Sequence, residues 1–117
     1  MKLLEVLGLQ RSKVPGNVKR SGHWPFVRQV HLDHNPTCAC CGGIKKIEVH
    51  HISPFHLDPD KELDFSNLIT LCEDNSNGID CHLAMGHLGS FKSWNVDVVK
   101  DAAAWLLKLT TRPTVET

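Results

Sequence analysis

Two adjacent histidines, His50 and His51, stand in the stretch Ile47-Glu48-Val49-His50-His51-Ile52-Ser53-Pro54. Its β-branched residues, Ile47, Val49 and Ile52, favour a short strand. Side chains leave a strand on alternate faces, so the two imidazoles point apart and cannot easily share one metal. They can divide the work instead: one binds a cation and the other takes a proton. Imidazole suits either task, since its ordinary pKa is ~6.5, close to physiological pH.

A second set of candidates is made of cysteines. Cys38 and Cys41 are spaced C-x2-C and followed by Gly42-Gly43, the form of a zinc knuckle, in which a tight turn aims backbone N–H groups at thiolate sulfur. Cys72 and Cys81 can complete a tetrahedral four-cysteine site, although eight residues separate them where two to four is usual. That insertion, Glu73 to Asp80, is polar and acidic and is expected to loop out. Cys40 reads as a bystander thiol. The plain alternative is buried thiols with no metal, because free cysteine is commonly buried.

These residues need elements to hold them, and the chain is short. At 117 residues it should be one small domain with a modest core. Aromatics make up only 6 % of it and tyrosine is absent, and chains this poor in bulk often draw stability from metals or disulfides. The N-terminal run from Met1 to Leu9 is too short and too interrupted by charge for a signal peptide, and no apolar run approaches membrane-spanning length. A reducing, cytoplasmic setting is therefore expected, and there an odd count of five cysteines points to metal ligation rather than disulfides.

In order along the chain, residues 1–20 form a flexible basic arm, with Pro15-Gly16-Asn17 as a turn signal. Ser21 is a candidate cap for a helix through His23, Trp24, Val27, Val30 and His31, ending at Asn35-Pro36. A first strand holds His50 and His51, and a Pro- and charge-rich loop leads to a second strand over 67–72. A short helix follows from Ile79 to about Gly86. Asn95 then caps a helix from Val96 to about Thr110, with Val98, Val99, Ala102, Trp105, Leu106 and Leu109 as its buried stripe. Residues 21–110 make one domain and 111–117 a frayed tail. Trp24, Trp94 and Trp105 are expected in the core rather than as base-stacking platforms, and His23 and His56 are expected to be structural or solvent-facing.

Net charge is zero, but its distribution is uneven. Between Val6 and Leu32 the chain carries Arg11, Lys13, Lys19, Arg20 and Arg28 and no acid, whereas 58–80 holds seven acids against Lys61 alone. A basic N-terminal third suits phosphate contacts, which dominate nucleic-acid affinity. Arg20 and Arg28 are the candidate contacts; a solvated charged face with no partner would look the same.

Collected in order, the signals are Cys38-x2-Cys41, His50-His51-Ile52-x-Pro54, Asn67-Leu68-Ile69-x-Leu71-Cys72 and Cys81-His82. Over residues 24 to about 95 this resembles the HNH endonucleases, in particular the small zinc-containing type of phage genomes. The resemblance implies an α+β fold with a ββα-metal core at about 45–90, a structural four-cysteine zinc site and flanking N- and C-terminal helices. It implies His51 as general base, Asn67 as its orienting partner, and His50 with His82 as ligands of a catalytic divalent ion. Cys38, Cys41, Cys72 and Cys81 would hold structural Zn2+. The implied activity is metal-dependent hydrolysis of phosphodiester bonds in DNA, by nicking or double-strand cleavage. Phage members are often encoded beside packaging genes, which suggests terminase or packaging proteins as partners.

The chemistry agrees with the residue types. A neutral imidazole can deprotonate water, and the Asn67 side chain or a backbone carbonyl can accept its other ring N–H and fix the tautomer. A metal with few protein ligands keeps positions open for phosphate and water. Many family members carry aspartate where His50 stands. Nitrogen ligands without a carboxylate favour Mn2+ or Ni2+ over Mg2+. His87 is a possible extra ligand, but five residues from His82 it aligns poorly on an α-helix. Two other readings are a zinc-dependent nucleic-acid-binding module without activity and an RNA-directed nuclease on the same fold.

Overall fold

Two antiparallel strands, β1 (Ile47–His51) and β2 (Leu68–Cys72), form the centre of a computed structural model that describes residues 19–77 and 79–115. Apart from residues 19 and 20, the expected basic arm lies outside the described residues, as does the end of the expected tail. The register runs from Ile47 opposite Cys72 to His51 opposite Leu68. The ladder continues past both ends, with Ile52 N–H bonding to the Asn67 carbonyl and Glu73 N–H to that of Lys46, each at 2.8 Å.

A lone two-stranded hairpin is marginal in water and needs cover. Helix α1 (Trp24–His34) covers one face, where Val27 packs with Val49, Leu63 and Leu68, flanked by Trp24 and Leu32. On the other side Ile69 and Leu71 pack with the cysteines and with Val98 and Ala102 of helix α2 (Val98–Thr111). Cover on both sides explains why all five β2 residues, Leu-Ile-Thr-Leu-Cys, are buried. The fold is thus a small α+β arrangement of two antiparallel strands and helices, as expected.

Both helices start later than the sequence suggested. Ser21 does not cap α1; its carbonyl and hydroxyl accept from Trp24 N–H and His23 N–H in the turn before the helix. Its own N–H is drawn away to the Glu62 carboxylate, 3.0 Å off, and that pull fixes the entry of the chain. Asn95 likewise lies two residues before the Asp97 cap of α2. Its Oδ1 accepts from Asp97 N–H while its Nδ2 donates to the Met85 carbonyl and to Asp101, so it ties the helix start to the preceding turn. The expected stripe along α2 is only partly covered. Val98 and Ala102 are fully buried, but Val99 is 57 % exposed, because, one residue on, it stands ~100° round the helix from Val98. Trp24 packs into the core, whereas Trp94 and Trp105 reach the surface.

Candidate active site

The alternation of β1 separates the histidine pair. His50, opposite Ile69, turns toward the segment after Cys81, while His51, opposite Leu68, turns toward α1.

On the first side three imidazoles converge. Ring nitrogens of His50, His82 and His87 all lie within 4.8 Å of one another, and His82 Nε2 is 3.1 Å from His50 Nδ1. His82 and His87 meet because residues His82–Gly86 wind as a single π-helical turn, closed by a 3.1 Å bond from His87 N–H to the His82 carbonyl. Five residues apart on an α-helix, two side chains would diverge by ~140°; on this π turn the two rings meet edge to face, centroids 4.8 Å apart, and such turns are frequent at functional sites. The Asp80 carboxylate accepts from Leu83 N–H and starts the turn. Gly86 lets it close, since a Cβ there would stand 3.0 Å from Leu71 Cδ1 and 3.2 Å from His50 Cε1.

The outer nitrogens of two of these rings are already committed. His82 Nδ1–H donates to Glu73 Oε1 at 3.0 Å and His87 Nδ1–H to the Ser93 carbonyl at 2.8 Å. With Nδ1 donating, each ring turns its Nε2 toward the cluster, that of His82 onto His50 Nδ1, the arrangement of a metal ligand backed by a carboxylate or carbonyl. Burial, reinforced by the nearby charges of His82, His87 and His51, holds the His50 pKa down to about 3, so this ring is neutral at physiological pH. Its Nε2 is buried with no hydrogen-bond partner among the described residues. Three imidazoles whose ring nitrogens converge fit a borderline divalent cation. Glu73, at the start of the acidic insertion, carried no sequence signal for its place behind His82.

On the second side His51 lies against Trp24, ring centroids 4.5 Å apart, and its Nε2–H donates to the Glu62 carbonyl at 2.9 Å. Because a carbonyl only accepts, Nδ1 is left as the unprotonated nitrogen. Burial lowers the His51 pKa; the Glu62 carbonyl opposes that shift and the Arg20 charge adds to it. Asn67 is committed elsewhere. Its Oδ1 accepts from Ser53 N–H at 2.8 Å, and its Nδ2 donates to the Ser53 and Lys61 carbonyls. Asn67 sits in the turn before β2, where its amide clamps both ends of the 53–61 loop. The ring N–H of His51 thus has a backbone carbonyl as its acceptor, the other option left open by the sequence.

Glu62 is the residue that sequence reasoning missed. Its side chain is fully buried, with Oε2 2.6 Å from Arg20 Nε and Oε1 on Ser21 N–H. The Arg20 guanidinium also lies 4.6 Å from the Phe55 ring centroid and 5.6 Å from that of Trp24, its side chain half-exposed. Arg28 pairs with Glu48 at 3.2 Å on the surface. Only its place in an acid-rich stretch marked Glu62 in the sequence.

The third cluster is Cys38, Cys41, Cys72 and Cys81, whose sulfurs lie within 4.8 Å of one another, Cys41 and Cys72 at 3.6 Å. The turn from Cys38 to Gly43 closes with Gly42 at φ +78°, a conformation glycine adopts without strain. It aims Cys41 N–H at Cys38 Sγ and Gly43 N–H at Cys41 Sγ; Cys72 N–H also reaches Cys38 Sγ. Burial raises the Cys38 pKa, but the N–H groups of Cys41, Cys40 and Cys72 outweigh it and the net shift is downward. Burial raises those of Cys41 and Cys81, and neighbouring sulfurs add to the effect. Four cysteine sulfurs so close fit a tetrahedral zinc site, where the cation would hold them as thiolates. Cys40 is fully buried outside the set, its pKa pushed up to about 11 by burial.

No helix among the described residues is long and apolar enough to cross a membrane. Comparisons with curated proteins and with solved structures found no match. Residues 38–87 match the family model described as HNH endonuclease, a span that opens at the first cysteine of the knuckle and ends at the third histidine of the cluster. Over those residues, less than half of the chain, it is similar to the HNH endonucleases, a nuclease family that acts on nucleic acid.

Proposed function

We propose that the chain is a metal-dependent DNA endonuclease whose ββα-metal core is β1, β2 and the π turn. The observation that carries this reading is the convergence of His50, His82 and His87 on one side of β1, with His51 held on the other. His50, His82 and His87 would hold the divalent cation, which when bound supplies Lewis acidity to the phosphate and the departing oxygen. His51 Nδ1 takes the proton of the attacking water, while the Glu62 carbonyl and the Trp24 ring keep the imidazole in place. Asn67 acts through the loop rather than through the base, because its amide holds Ser53 and Lys61 on either side of Glu62. Arg20, fixed by Glu62 beside His51, is the better placed of the two arginines to meet a phosphate. Cys38, Cys41, Cys72 and Cys81 hold structural zinc. One such site cuts one strand, so the monomer nicks. The phage-packaging association rests on the sequence resemblance.

Three imidazoles without a direct carboxylate ligand favour Mn2+ or Ni2+ over Mg2+. Plasmid nicking by metal-stripped protein, reloaded with each ion and compared with His51→Ala, tests the proposal. Nicking should be strong in Mn2+ or Ni2+, weak in Mg2+, and abolished in a folded, metal-loaded His51→Ala protein. Equal nicking by that variant would favour a zinc-dependent nucleic-acid-binding module without activity, and full activity in Mg2+ alone would overturn the metal assignment.

A further inference from the structure

The loop between the π turn and α2, Phe91-Lys92-Ser93-Trp94, is tied to the histidine cluster at its centre and carries an aromatic ring at each end. The Ser93 carbonyl is the acceptor that holds His87. Phe91 lies against His87, ring centroids 4.9 Å apart, and 6.0 Å from His82, yet 65 % of its surface is exposed. Trp94 walls a cleft of about 310 Å³ whose other side is Ile52, Ser53, Lys61 and Asn67, the residues that directly follow His51 and the loop Asn67 clamps. The loop is anchored at both ends, by Ser93 N–H on the Ser90 carbonyl and by Asn95 N–H on that of Gly86, each within 2.9 Å. Two aromatic faces are thus held at the edges of the candidate site by rigid backbone, with Lys92 exposed between them.

We infer that Phe91 and Trp94 are stacking surfaces for unpaired nucleobases, so that the preferred substrate is DNA that is single-stranded or locally unpaired beside the phosphate being cut. The inference rests on the nuclease reading for the position of that phosphate. A base inside a duplex shows its π faces only to its stacked neighbours, so a protruding protein ring gains contact with it only once it leaves the stack. Aromatic rings beside a cationic groove are the usual means of holding single strands, and a cleft with one tryptophan wall and amide, hydroxyl and ammonium groups opposite has the size and polarity for a base. Lys61 sits 3.4 Å from Asp58, so its charge is partly offset, and stacking carries more of the recognition here than charge does.

The test is binding of short fluorescent oligonucleotides to the metal-loaded full-length chain carrying His51→Ala, so that the strand is not cut. A single strand should bind more tightly than the matched duplex. Phe91→Ala with Trp94→Ala should lose on the order of tenfold or more for the single strand, with zinc and divalent-ion content unchanged. Phe91→Leu should lose affinity like the alanine variant although it still packs on His87, and Phe91→Tyr should retain it. An abasic residue scanned through the strand should weaken the parent protein at one or two positions and leave the double variant unaffected there. A preference for duplex, full affinity in Phe91→Leu, or the same loss on intact and abasic strands would overturn the inference. Duplex nicking that is insensitive to Phe91 and Trp94 would remove the stacking role and leave the nuclease; base-dependent stacking in a chain that never cuts would do the reverse.

Discussion

Gly86→Ala is a small perturbation with a diagnostic sign. Gly86 does not have a positive φ, so alanine meets no backbone strain, and in a helical turn that exchange ordinarily stabilises by about 0.5–1 kcal/mol. Here the added Cβ would lie 3.0 Å from Leu71 Cδ1, 3.2 Å from His50 Cε1 and 3.3 Å from His50 Nδ1, where ordinary contact begins near 3.4 Å. Neither neighbour can retreat easily. Leu71 is fully buried and His50 is 3 % exposed, held by the ladder between β1 and β2. Overpacking of this kind costs about 1–3 kcal/mol, which set against the gain in propensity leaves a net loss of up to about 2.5 kcal/mol. Because the crowded nitrogen is the one facing His82, divalent-ion affinity should fall as well, on the order of tenfold. Urea unfolding of the zinc-loaded protein reads the first effect, and Ni2+ or Mn2+ titration monitored by calorimetry reads the second. A neutral or stabilising Gly86→Ala with unchanged ion affinity would refute the close packing of the π turn on His50.

Other outcomes follow from the same geometry. Cys72→Ser should lose zinc and with it the cooperative unfolding transition, since structural metal binding is folding free energy. Cys40→Ala should keep its zinc and lose only about 1 kcal/mol for a small buried side chain; metal analysis and circular dichroism separate the two, and a folded, zinc-free Cys72→Ser protein would break the four-cysteine assignment. Nicking should rise with pH as His51 loses its proton. Its pKa is lowered, chiefly by burial, so the midpoint should fall below ~6.5, with a plateau at pH 7–8. A midpoint above pH 7 would contradict an imidazole base in this environment.

Parts of the candidate site could be read along the chain because they depend on local periodicity. The two strands, their alternation and the knuckle are set by neighbouring residues, so His50 and His51 on opposite sides of β1 and the Cys38-x2-Cys41 turn were legible. Separation in sequence did not hide the pairing of Cys72 with Cys81 either, because a C-x2-C knuckle supplies two ligands and a tetrahedral site needs two more. The partner of His51 was harder. The Glu62 carbonyl is main chain and leaves no trace in residue identity, whereas Asn67 looked the part and is bonded to Ser53 and Lys61 instead.

The residue types of this chain determined by themselves that imidazoles and thiols would be its candidate ligands, and that a short hairpin would carry the histidine pair. Only the tertiary structure decided how many imidazoles meet. A spacing of five means divergence on an α-helix and approach on a π turn, and the choice is made by packing: Gly86 closing on Leu71 and His50, Asp80 holding the start of the turn, and the Ser93 carbonyl accepting from His87 Nδ1–H. The same packing left Phe91 and Trp94 at the surface, because a hairpin of two strands has too little area to cover every aromatic ring the sequence offers it.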